Sequence, residues 1–351
     1  MMPPHWMGPT ARPASLADLA ATYGRRLGDC IAFPGLVNSH DHLAFNCYPP
    51  TGNPPYDDFL GWSQDVQADR ALVTRIEAIP APLRVQVGLL KNLLWGVTAV
   101  ADHGGDAVEG PIRVLAPFQD LHSPELASPW RWMAGLGPAV LHLAEGVTAD
   151  SRRRALAFLK ENLFRRAVAG VHGVSLEGED FQRLAALVWC PASNLFLFGR
   201  TADAAAALRH TQLLFGTDAT ISAPGTLWDH LRLARGRVAD AELFASLTFR
   251  ATRFWRHPAP DDLVIARRTA DDPWDAFFAL TPADILLVVR AGQPVLVDDT
   301  LGAPPGYGRL TVGGQAKHVR LNVAEMLAAL RPQLDTAALL SRFGCGEASV
   351  A

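Results

Sequence analysis

The stretch Phe33-Pro34-Gly35-Leu36-Val37-Asn38-Ser39-His40-Asp41-His42 is an apolar run that ends in two histidines one residue apart. Its apolar part predicts a strand over residues 30–39. Alternate side chains of a strand share a face, so His40 and His42 point the same way and Asp41 points the opposite way. Two neutral imidazoles that converge at a strand end are half of a divalent metal site. A three-residue pattern also arises by chance, so the rest of the chain must decide.

The composition predicts one large globular unit, or a large unit with a small one attached. The chain has 351 residues, of which 49% are hydrophobic and 19% charged, and its formal net charge is −3. An α/β barrel of about 250 residues fits within this length. The near-neutral charge provides no basic field for nucleic acid or for an acidic membrane surface. We therefore expect a small-molecule substrate, and neither nucleic acid nor a membrane as partner.

The cysteines and the N-terminal residues indicate the cellular compartment that we expect for the protein. The four cysteines are widely spaced and form no CxxC pair, which argues against a disulfide framework or a cysteine zinc site and favours a reducing compartment. The first residues lack the basic and apolar regions of a signal peptide. No apolar run approaches the ~18 residues that a membrane helix needs. We expect a soluble, cytoplasmic protein.

Short apolar strands alternate with helical stretches through the first two thirds of the chain. A helix is predicted over 82–96, with Gly96 as its C-cap. Such alternation indicates parallel βαβ units. The strands follow at 97–101, 139–141, 169–171, 187–189 and 212–215, and the later helices at 151–168, 179–187, 202–209 and 226–255.

From residue 263 the pattern changes to strands joined by Gly and Pro turns. This pattern is typical of a small antiparallel β unit, and residues 321–343 then return to helix. These strands are predicted at 263–266, 285–289, 294–297 and 310–312.

Each of the four predicted strands from residue 139 to residue 215 is followed by polar residues. In parallel α/β barrels the active site lies at the C-terminal ends of the strands. The chain length between His40 and Asp218 corresponds to about 25 residues per βα repeat, which suits strands 1 and 8 of a barrel. Three or four imidazoles with one carboxylate suit Zn²⁺ or Fe²⁺ with a water in the open position. The residues expected on this rim are His40, His42, His142 with Glu145, His172 and Asp218.

Every member of this set also has an ordinary structural explanation. His142 alone could be a hydrogen-bonded core histidine, Asp218 a helix N-cap, and Glu145 a complement to a helix dipole. Their joint occurrence at the ends of predicted strands favours the metal site.

The motifs at these strand ends resemble those of the amidohydrolase superfamily, in particular the branch of cytosine and guanine deaminases and of chlorohydrolases. The resemblance spans roughly residues 30–300 and holds in both order and spacing. The motifs are Pro34 to His42, His142-Leu143-Ala144-Glu145-Gly146, Val171-His172-Gly173, Cys190-Pro191-Ala192-Ser193-Asn194 and Gly216-Thr217-Asp218.

The resemblance implies an α/β fold, a distorted (β/α)8, TIM-like barrel with a small, reduced β-sandwich accessory domain. It implies one divalent metal, Zn²⁺ or Fe²⁺, and it suggests a homodimer. Glu145 would shuttle protons, and Asp218 would accept the proton of the attacking hydroxide. His172 would either hydrogen-bond that hydroxide or complete the metal shell. The implied metal ligands are His40, His42, His142 and Asp218.

The lysines bear on the number of metal ions. Binuclear members of the superfamily bridge two metals with a carboxylated lysine on a middle strand. The only lysines here are Lys91, Lys160 and Lys317, and none falls between His103 and His142. We therefore expect a single metal.

Two departures from the family pattern concern the periphery of the barrel. Only about forty residues separate Asp102 from His142, so that side of the barrel must be compressed or incomplete. The approach to His40 is short, so the accessory domain is reduced to mainly C-terminal strands. We expect an N-terminal extension over 1–29, the barrel over 30–258, the accessory domain over 259–320 and a helical tail over 321–351.

Candidate substrate contacts come from the loop after His42 and from two strand ends. The segment 45–62 reads as a functional loop or lid. Its aromatic residues either stack on a planar heterocycle or pack the loop onto the barrel. His103 either faces substrate or is structural, and Asn194 and Trp62 complete the candidates. The loop aromatics are Phe45, Tyr48, Tyr56, Phe59 and Trp62.

These residues predict a mononuclear metal-dependent hydrolase that attacks a C–N bond of a small nitrogen compound with metal-activated hydroxide. Glu145 beside His142, with no middle-strand lysine, favours a deaminase of a cyclic amine or heterocycle. The same site would also serve an amide, imide or chloride hydrolase. A barrel that binds metal or ligand without catalysis is the third possibility.

Overall fold

The computed structural model describes residues 5–8, 14–105, 108–115, 118–126, 138–163 and 165–345. Within these ranges the chain forms fifteen strands and thirteen α-helices. The strands β1 to β15 are, in chain order, His5–Trp6, Cys30–Pro34, Leu36–Asp41, Val97–Asp102, Arg113–Val114, Gln119–Asp120, Ala139–Leu143, Val168–His172, Ala186–Trp189, Gln212–Phe215, Leu263–Arg267, Ile285–Arg290, Gln293–Asp298, Gly308–Val312 and Gln315–Val319. The helices α1 to α13 are Ala14–Tyr23, Phe59–Ala68, Arg70–Glu77, Ala81–Leu94, Ala149–Lys160, Pro191–Phe198, Ala204–Leu208, Leu227–Ala234, Asp240–Leu247, Phe249–Phe254, Pro273–Phe278, Val323–Leu330 and Thr336–Ser341.

Eight consecutive strands form two parallel sheets. One has the order β3-β4-β5 and the other the order β10-β9-β8-β7-β6. Strands such as β7 and β8 are buried along their whole length, as parallel strands are when helices cover their faces. The predicted βαβ alternation is confirmed. The helix predicted over 151–168 is shorter, because α5 ends at Lys160, and the helix predicted over 179–187 is a 3₁₀ segment, Gly178–Arg183.

Backbone hydrogen bonds connect the end of the five-stranded sheet to the first strand of the three-stranded sheet. The amides of Thr217 and Asp218 donate to the carbonyl oxygen of His40 at 3.1 and 3.0 Å. The chain just after β10 is therefore anchored beside the C-terminal end of β3, where the two histidines of the His-x-His motif lie.

The third sheet is mixed and takes strands from both parts of the sequence. Its order is β1-β2-β11-β12-β13-β15-β14, and the strands from β11 onward pair antiparallel, as their Gly and Pro turns predict. Strand β2 pairs antiparallel with β11. The mixed sheet thus packs the C-terminal strands directly against the strand that leads to His40.

The single strand predicted over residues 30–39 is wrong, because the chain changes sheets at Gly35. Strand β2 ends at Pro34 in the mixed sheet, and β3 begins at Leu36 in a parallel sheet. The Gly35 amide donates to the carbonyl oxygen of Asp262 at 3.0 Å. A Cβ atom at Gly35 would lie 2.3 Å from Oγ1 of Thr98. The apolar sequence is continuous across this point, so its periodicity could not reveal the break.

The predicted compression between residues 103 and 141 is visible in the described part of that segment. Strands β5 and β6 contain two residues each, and they pair with β4 and β7 respectively. Residues 127–137 lie outside the described ranges, so the way this segment completes the fold stays a prediction.

Two expectations from composition can be compared with the described structure. The four cysteines are buried and carry free thiols, as their spacing predicts. None of the described helices is long and apolar enough to span a membrane.

Gly35→Ala is expected to lower the free energy of unfolding by about 1–3 kcal/mol, because the added methyl group overlaps Thr98 in a packed region. Urea denaturation measures the change. Gly61→Ala is the matched control, since a Cβ at Gly61 meets its nearest neighbour at 3.6 Å. Equal stability of the two variants would contradict the steric explanation of the break.

Candidate metal centre and active site

The predicted metal ligands converge at the C-terminal ends of the parallel strands. His40 belongs to β3, His142 belongs to β7, and Asp218 follows β10. Nε2 of His40 and Nε2 of His42 lie 3.8 and 3.9 Å from Oδ1 of Asp218. Nε2 of His42 lies 3.2 Å from Nε2 of His142. The donor atoms within each of three overlapping triplets are no more than 4.8 Å apart: His40, His42 and His142; His40, His172 and Asp218; His142, Glu145 and His172.

The chemistry of these donors fits a divalent cation. Nε2 of His40 and Nε2 of His172 are buried and have no hydrogen-bond partner in the described structure. A buried polar atom without a partner is costly, and a coordinated cation would satisfy it. Burial holds the pKa values of His40 and His142 well below the ordinary histidine value. Both imidazoles are therefore neutral at pH 7 and have a lone pair to offer.

Asp218 is held as a carboxylate. Burial opposes ionisation, whereas the hydrogen bond from the Ser193 hydroxyl favours the charged form, and the pKa of Asp218 lies below the ordinary value. Its Oδ2 accepts hydrogen bonds from Ser193 at 2.7 Å and Ser222 at 2.9 Å. These bonds leave Oδ1 directed at the histidines. The residue has φ +59°, a left-handed conformation that a non-glycine side chain adopts at a cost in energy.

Glu145 is the protonatable group beside the cluster. Its side chain is 8% exposed, and its Oε1 lies 3.5 Å from Nε2 of His172. Burial, followed by the negative charge of Asp218, raises the pKa of Glu145 well above the ordinary value. The carboxyl group therefore holds its proton to a higher pH than an ordinary glutamate does, which suits it to donate a proton.

Asn194 orients His172. Its Oδ1 lies 2.9 Å from Nδ1 of His172, and its Nδ2 donates to Oγ1 of Thr201 at 3.1 Å. This pattern assigns the imidazole proton to Nδ1 and leaves the lone pair of Nε2 facing the cluster. Asn194 is fully buried and is not among the residues that line the cavity described below.

His103 packs behind the cluster. Its Nε2 lies 2.9 Å from Oδ1 of Asp120, and its ring centroid lies 4.2 Å from that of His142. Burial lowers the pKa of His103 to about 4. His122, which follows β6, lines the cavity, and its ring centroid lies 5.4 Å from that of His142. The sequence analysis missed His122, because strand β6 is too short to be recognised from its two residues.

A cavity of about 260 Å³ opens beside the cluster. Trp62 lines it, but the last part of the predicted loop is helical, because helix α2 begins at Phe59. Tyr56 does not line it, and its hydroxyl contacts Asp65. The cavity includes four of the five aromatic side chains singled out in the sequence. Its lining contains His42, His142, Glu145 and Asp218 from the cluster and Phe45, Tyr48, Phe59 and Trp62.

Lys91 supports the cluster from behind, a role that the sequence analysis also missed. This fully buried residue of α4 places Nζ 2.9 Å from Oδ2 of Asp41, the residue between the two histidines. The same ammonium donates to the carbonyl oxygen of Asp218 at 3.1 Å. Asn92 also donates to Oδ2 of Asp41, at 2.6 Å. Asp41 therefore points away from the metal ligands, as strand alternation predicts.

No protein-family model matches this sequence, and no curated protein matches it. The fold does match solved structures. An adenosine deaminase from Xanthomonas campestris with bound zinc has a TM-score of 0.64 at 18% identity, over 89% of this chain and 87% of that chain. Atrazine chlorohydrolase TrzN from Arthrobacter aurescens TC1, complexed with zinc, has a TM-score of 0.66 at 18% identity, over 87% and 88% of the two chains. Helicobacter pylori aminofutalosine deaminase, in complex with methylthio-coformycin, has a TM-score of 0.54 at 14% identity, over 76% and 87%.

These matches confirm, at the level of the fold, the resemblance that the strand-end motifs predicted. The chain has the mixed α/β fold of these deaminases and of the chlorohydrolase, over 76–89% of its own length.

Lys91→Met is expected to lower the free energy of unfolding by about 3 kcal/mol or more, because it leaves the Asp41 carboxylate buried without its cation. The double variant Lys91→Met/Asp41→Asn should recover part of this loss, since it buries no uncompensated charge. Urea denaturation of both single variants and the double variant gives the coupling energy. Strictly additive losses would contradict a direct interaction.

Proposed function

We propose that this chain is a mononuclear metal-dependent hydrolase of the amidohydrolase type, and that it deaminates a small cyclic nitrogen compound. The observation that carries the proposal is the placement of the buried carboxyl group of Glu145 beside three converging, mostly buried histidines and one carboxylate, where burial raises its pKa. A metal site alone would support several reactions. A buried proton donor next to it supports the cleavage of a bond to nitrogen.

The proposed metal is Zn²⁺ or Fe²⁺, and zinc is present in the adenosine deaminase and chlorohydrolase structures of the same fold. Such an ion lowers the pKa of a bound water toward neutrality and so supplies hydroxide at pH 7. The unpartnered nitrogens of His40 and His172 and the directed oxygen of Asp218 support this assignment. The proposed ligands are His40, His42, His142 and Asp218.

The proposed roles of the other residues follow from their protonation states. Glu145 donates its proton to the ring nitrogen of the substrate and then carries a proton to the departing amine. Asp218 accepts the proton that the nucleophile loses. His172, with its proton on Nδ1, accepts a hydrogen bond at Nε2 from the nucleophile or serves as a further ligand. Asn194 holds His172 in that orientation.

The leaving group distinguishes deamination from its rivals. An amine leaves only after protonation, whereas chloride leaves as an anion and needs no acid. Glu145, whose pKa burial raises, supplies the acid that an amine leaving group requires. Hydrolysis of an amide or imide would use the same proton donor, and it is separated from deamination by its products.

We further propose that the two parallel sheets are the two arcs of one distorted (β/α)8 barrel. The eight parallel strands occur in chain order, and the amides after β10 bond to His40 of β3. The barrel would span 30–258 and the reduced accessory domain 259–320, with β1 and β2 joining the accessory sheet. Apart from β1, residues 1–29 would form an N-terminal extension. Residues 321–351 would form a helical tail. A homodimer and a cytoplasmic location remain predictions.

The test is ammonia release by the zinc-loaded protein from a panel of amino-substituted pyrimidines, purines and triazines. Glu145→Gln should retain its metal and lower kcat by about 10²–10⁴-fold, because it removes the proton donor. The exposed Glu161 supplies the control variant Glu161→Gln. Normal turnover by metal-loaded Glu145→Gln would refute the role of Glu145. Hydrolysis of chloro-substituted or N-acyl analogues in place of the amino compounds would favour a chloride or amide hydrolase, and turnover of no compound would favour a binding protein.

A further inference from the structure

A relay of side-chain hydrogen bonds runs from the metal cluster into the interior of the protein. Nδ1 of His172 lies 2.9 Å from Oδ1 of Asn194, and Nδ2 of Asn194 lies 3.1 Å from Oγ1 of Thr201. The indole Nε1 of Trp189 donates to the same Oγ1 at 2.7 Å. His172, Asn194 and Trp189 are fully buried, and Thr201 is partly buried. Thr201 is therefore only two hydrogen bonds away from an imidazole of the cluster.

The four residues of the relay come from separate parts of the fold and meet at Thr201. His172 is the last residue of β8, Trp189 is the last residue of β9, and Asn194 lies in α6. Thr201 lies in the linker between α6 and α7. One hydroxyl group in this linker thus connects the end of β9 to the helix that carries Asn194.

The chemistry of the groups fixes the direction of the hydrogen bonds. An indole N–H can only donate, and the backbone carbonyl of His172 can only accept. Nδ2 of Asn194 lies 3.4 Å from that carbonyl oxygen, so the amide presents its nitrogen there and its oxygen to Nδ1 of the imidazole. The hydroxyl oxygen of Thr201 accepts from both Trp189 and Asn194, which uses both of its lone pairs. The relay therefore favours an imidazole proton on Nδ1.

Glu145 offers a competing position for the same proton. A neutral imidazole carries one proton, on either Nδ1 or Nε2. Oε1 of Glu145 lies 3.5 Å from Nε2 of His172, so a proton on Nε2 would point to this carboxyl group and would withdraw the Nε2 lone pair from the cluster. The choice between the two tautomers depends on the orientation of the Asn194 amide. Of the two acceptors that hold the amide nitrogen, the hydroxyl of Thr201 is the closer.

We propose that Thr201 is a positioning residue, which holds the Asn194 amide so that the proton of His172 stays on Nδ1 and the Nε2 lone pair stays available to the cluster. The proposal rests on the proposed function for the use of that lone pair, either by the nucleophile or by the metal. The position of the proton itself does not depend on catalysis and can be measured on the metal-free protein.

The test is nitrogen-15 NMR of the full-length, metal-free protein with labelled histidines, which reports the ring nitrogen that carries the proton. The chain has 11 histidines, so the signals of His172 are identified by their loss in His172→Gln. The parent should carry the proton on Nδ1. Thr201→Val, which replaces the hydroxyl with a methyl group, should raise the ratio of the Nε2-protonated to the Nδ1-protonated tautomer about fivefold, the effect of one lost hydrogen bond. Thr201→Ser keeps the hydroxyl and should restore the proton to Nδ1.

Thr211→Val is the matched control. Thr211 is also partly buried, and its hydroxyl donates to the carbonyl oxygen of Leu184 at 2.8 Å. It precedes β10, whereas Asp218 follows that strand, so this variant loses a similar hydrogen bond away from the cluster. Thr201→Ala repeats the test with a smaller side chain. A His172 proton that stays on Nδ1 as in the parent in the Val and Ala variants of Thr201, or an equal change in Thr211→Val, would overturn the proposal.

Turnover separates this proposal from the proposed function. In the zinc-loaded enzyme, Thr201→Val should lower kcat about tenfold and leave KM nearly unchanged, because Thr201 acts through His172 and does not line the cavity. A shifted tautomer in Thr201→Val, without ammonia release by the parent, would refute deamination and retain the positioning role. An unchanged tautomer in an enzyme that releases ammonia would refute the positioning role and retain deamination.

Discussion

The buried ion pair between Lys91 and Asp41 holds together the segments that carry the candidate ligands. Lys91 lies on α4, Asp41 lies between the two histidines at the end of β3, and the same ammonium bonds to the Asp218 carbonyl. Asp218 adopts a left-handed backbone conformation that needs such support. Burial lowers the pKa of Lys91, and the carboxylates of Asp41 and Asp218 oppose that effect. A charge buried this deeply is stable only while its partners stay in place. The ion pair therefore fixes the relative positions of helix α4, strand β3 and Asp218.

The same burial shifts the pKa values of the two kinds of residue in the site in opposite directions. It lowers the pKa values of His40 and His142, and it raises the pKa of Glu145. Neutral imidazoles are what a divalent cation requires, and a neutral carboxylic acid is what a departing amine requires. The pKa of Asp218 does not follow this trend, because two serine hydroxyls donate hydrogen bonds to its charged form. One desolvated environment thus prepares both the ligand set and the acid.

Sequence patterns predicted the features that depend on local periodicity and on strand ends. The parallel strands at 139–143, 168–172 and 212–215 are short apolar runs, and the polar residues that follow them converge at one edge of the sheets, as parallel packing requires. The features that the sequence did not predict depend on tertiary contacts. Gly35 interrupts an apolar run because Thr98 and Asp262 approach its backbone. Both of these residues are far from Gly35 in the sequence, so local patterns cannot reveal the contacts.

Two further residues show the same limit. Lys91 sits in a helix whose pattern indicates only an apolar face, and its partner Asp41 is fifty residues earlier in the chain. His122 follows a two-residue strand, which is too short to show a hydrophobic periodicity in the sequence. Asn194 was recognised as a motif residue, but only its hydrogen bond to His172 shows which neighbour it holds. Local sequence therefore supplied all four proposed ligands, whereas the residues that position them are defined by the fold.

The most direct test of the central claim is the metal content per chain, measured by elemental analysis on the purified protein and on His142→Ala and Asp218→Ala variants. Asp203→Ala, which removes a helix cap outside the cluster, is the control. A mononuclear centre predicts about one equivalent of zinc or iron in the parent and in the control, and its loss in the other two variants. Two equivalents, or no metal after reconstitution with both ions, would contradict it.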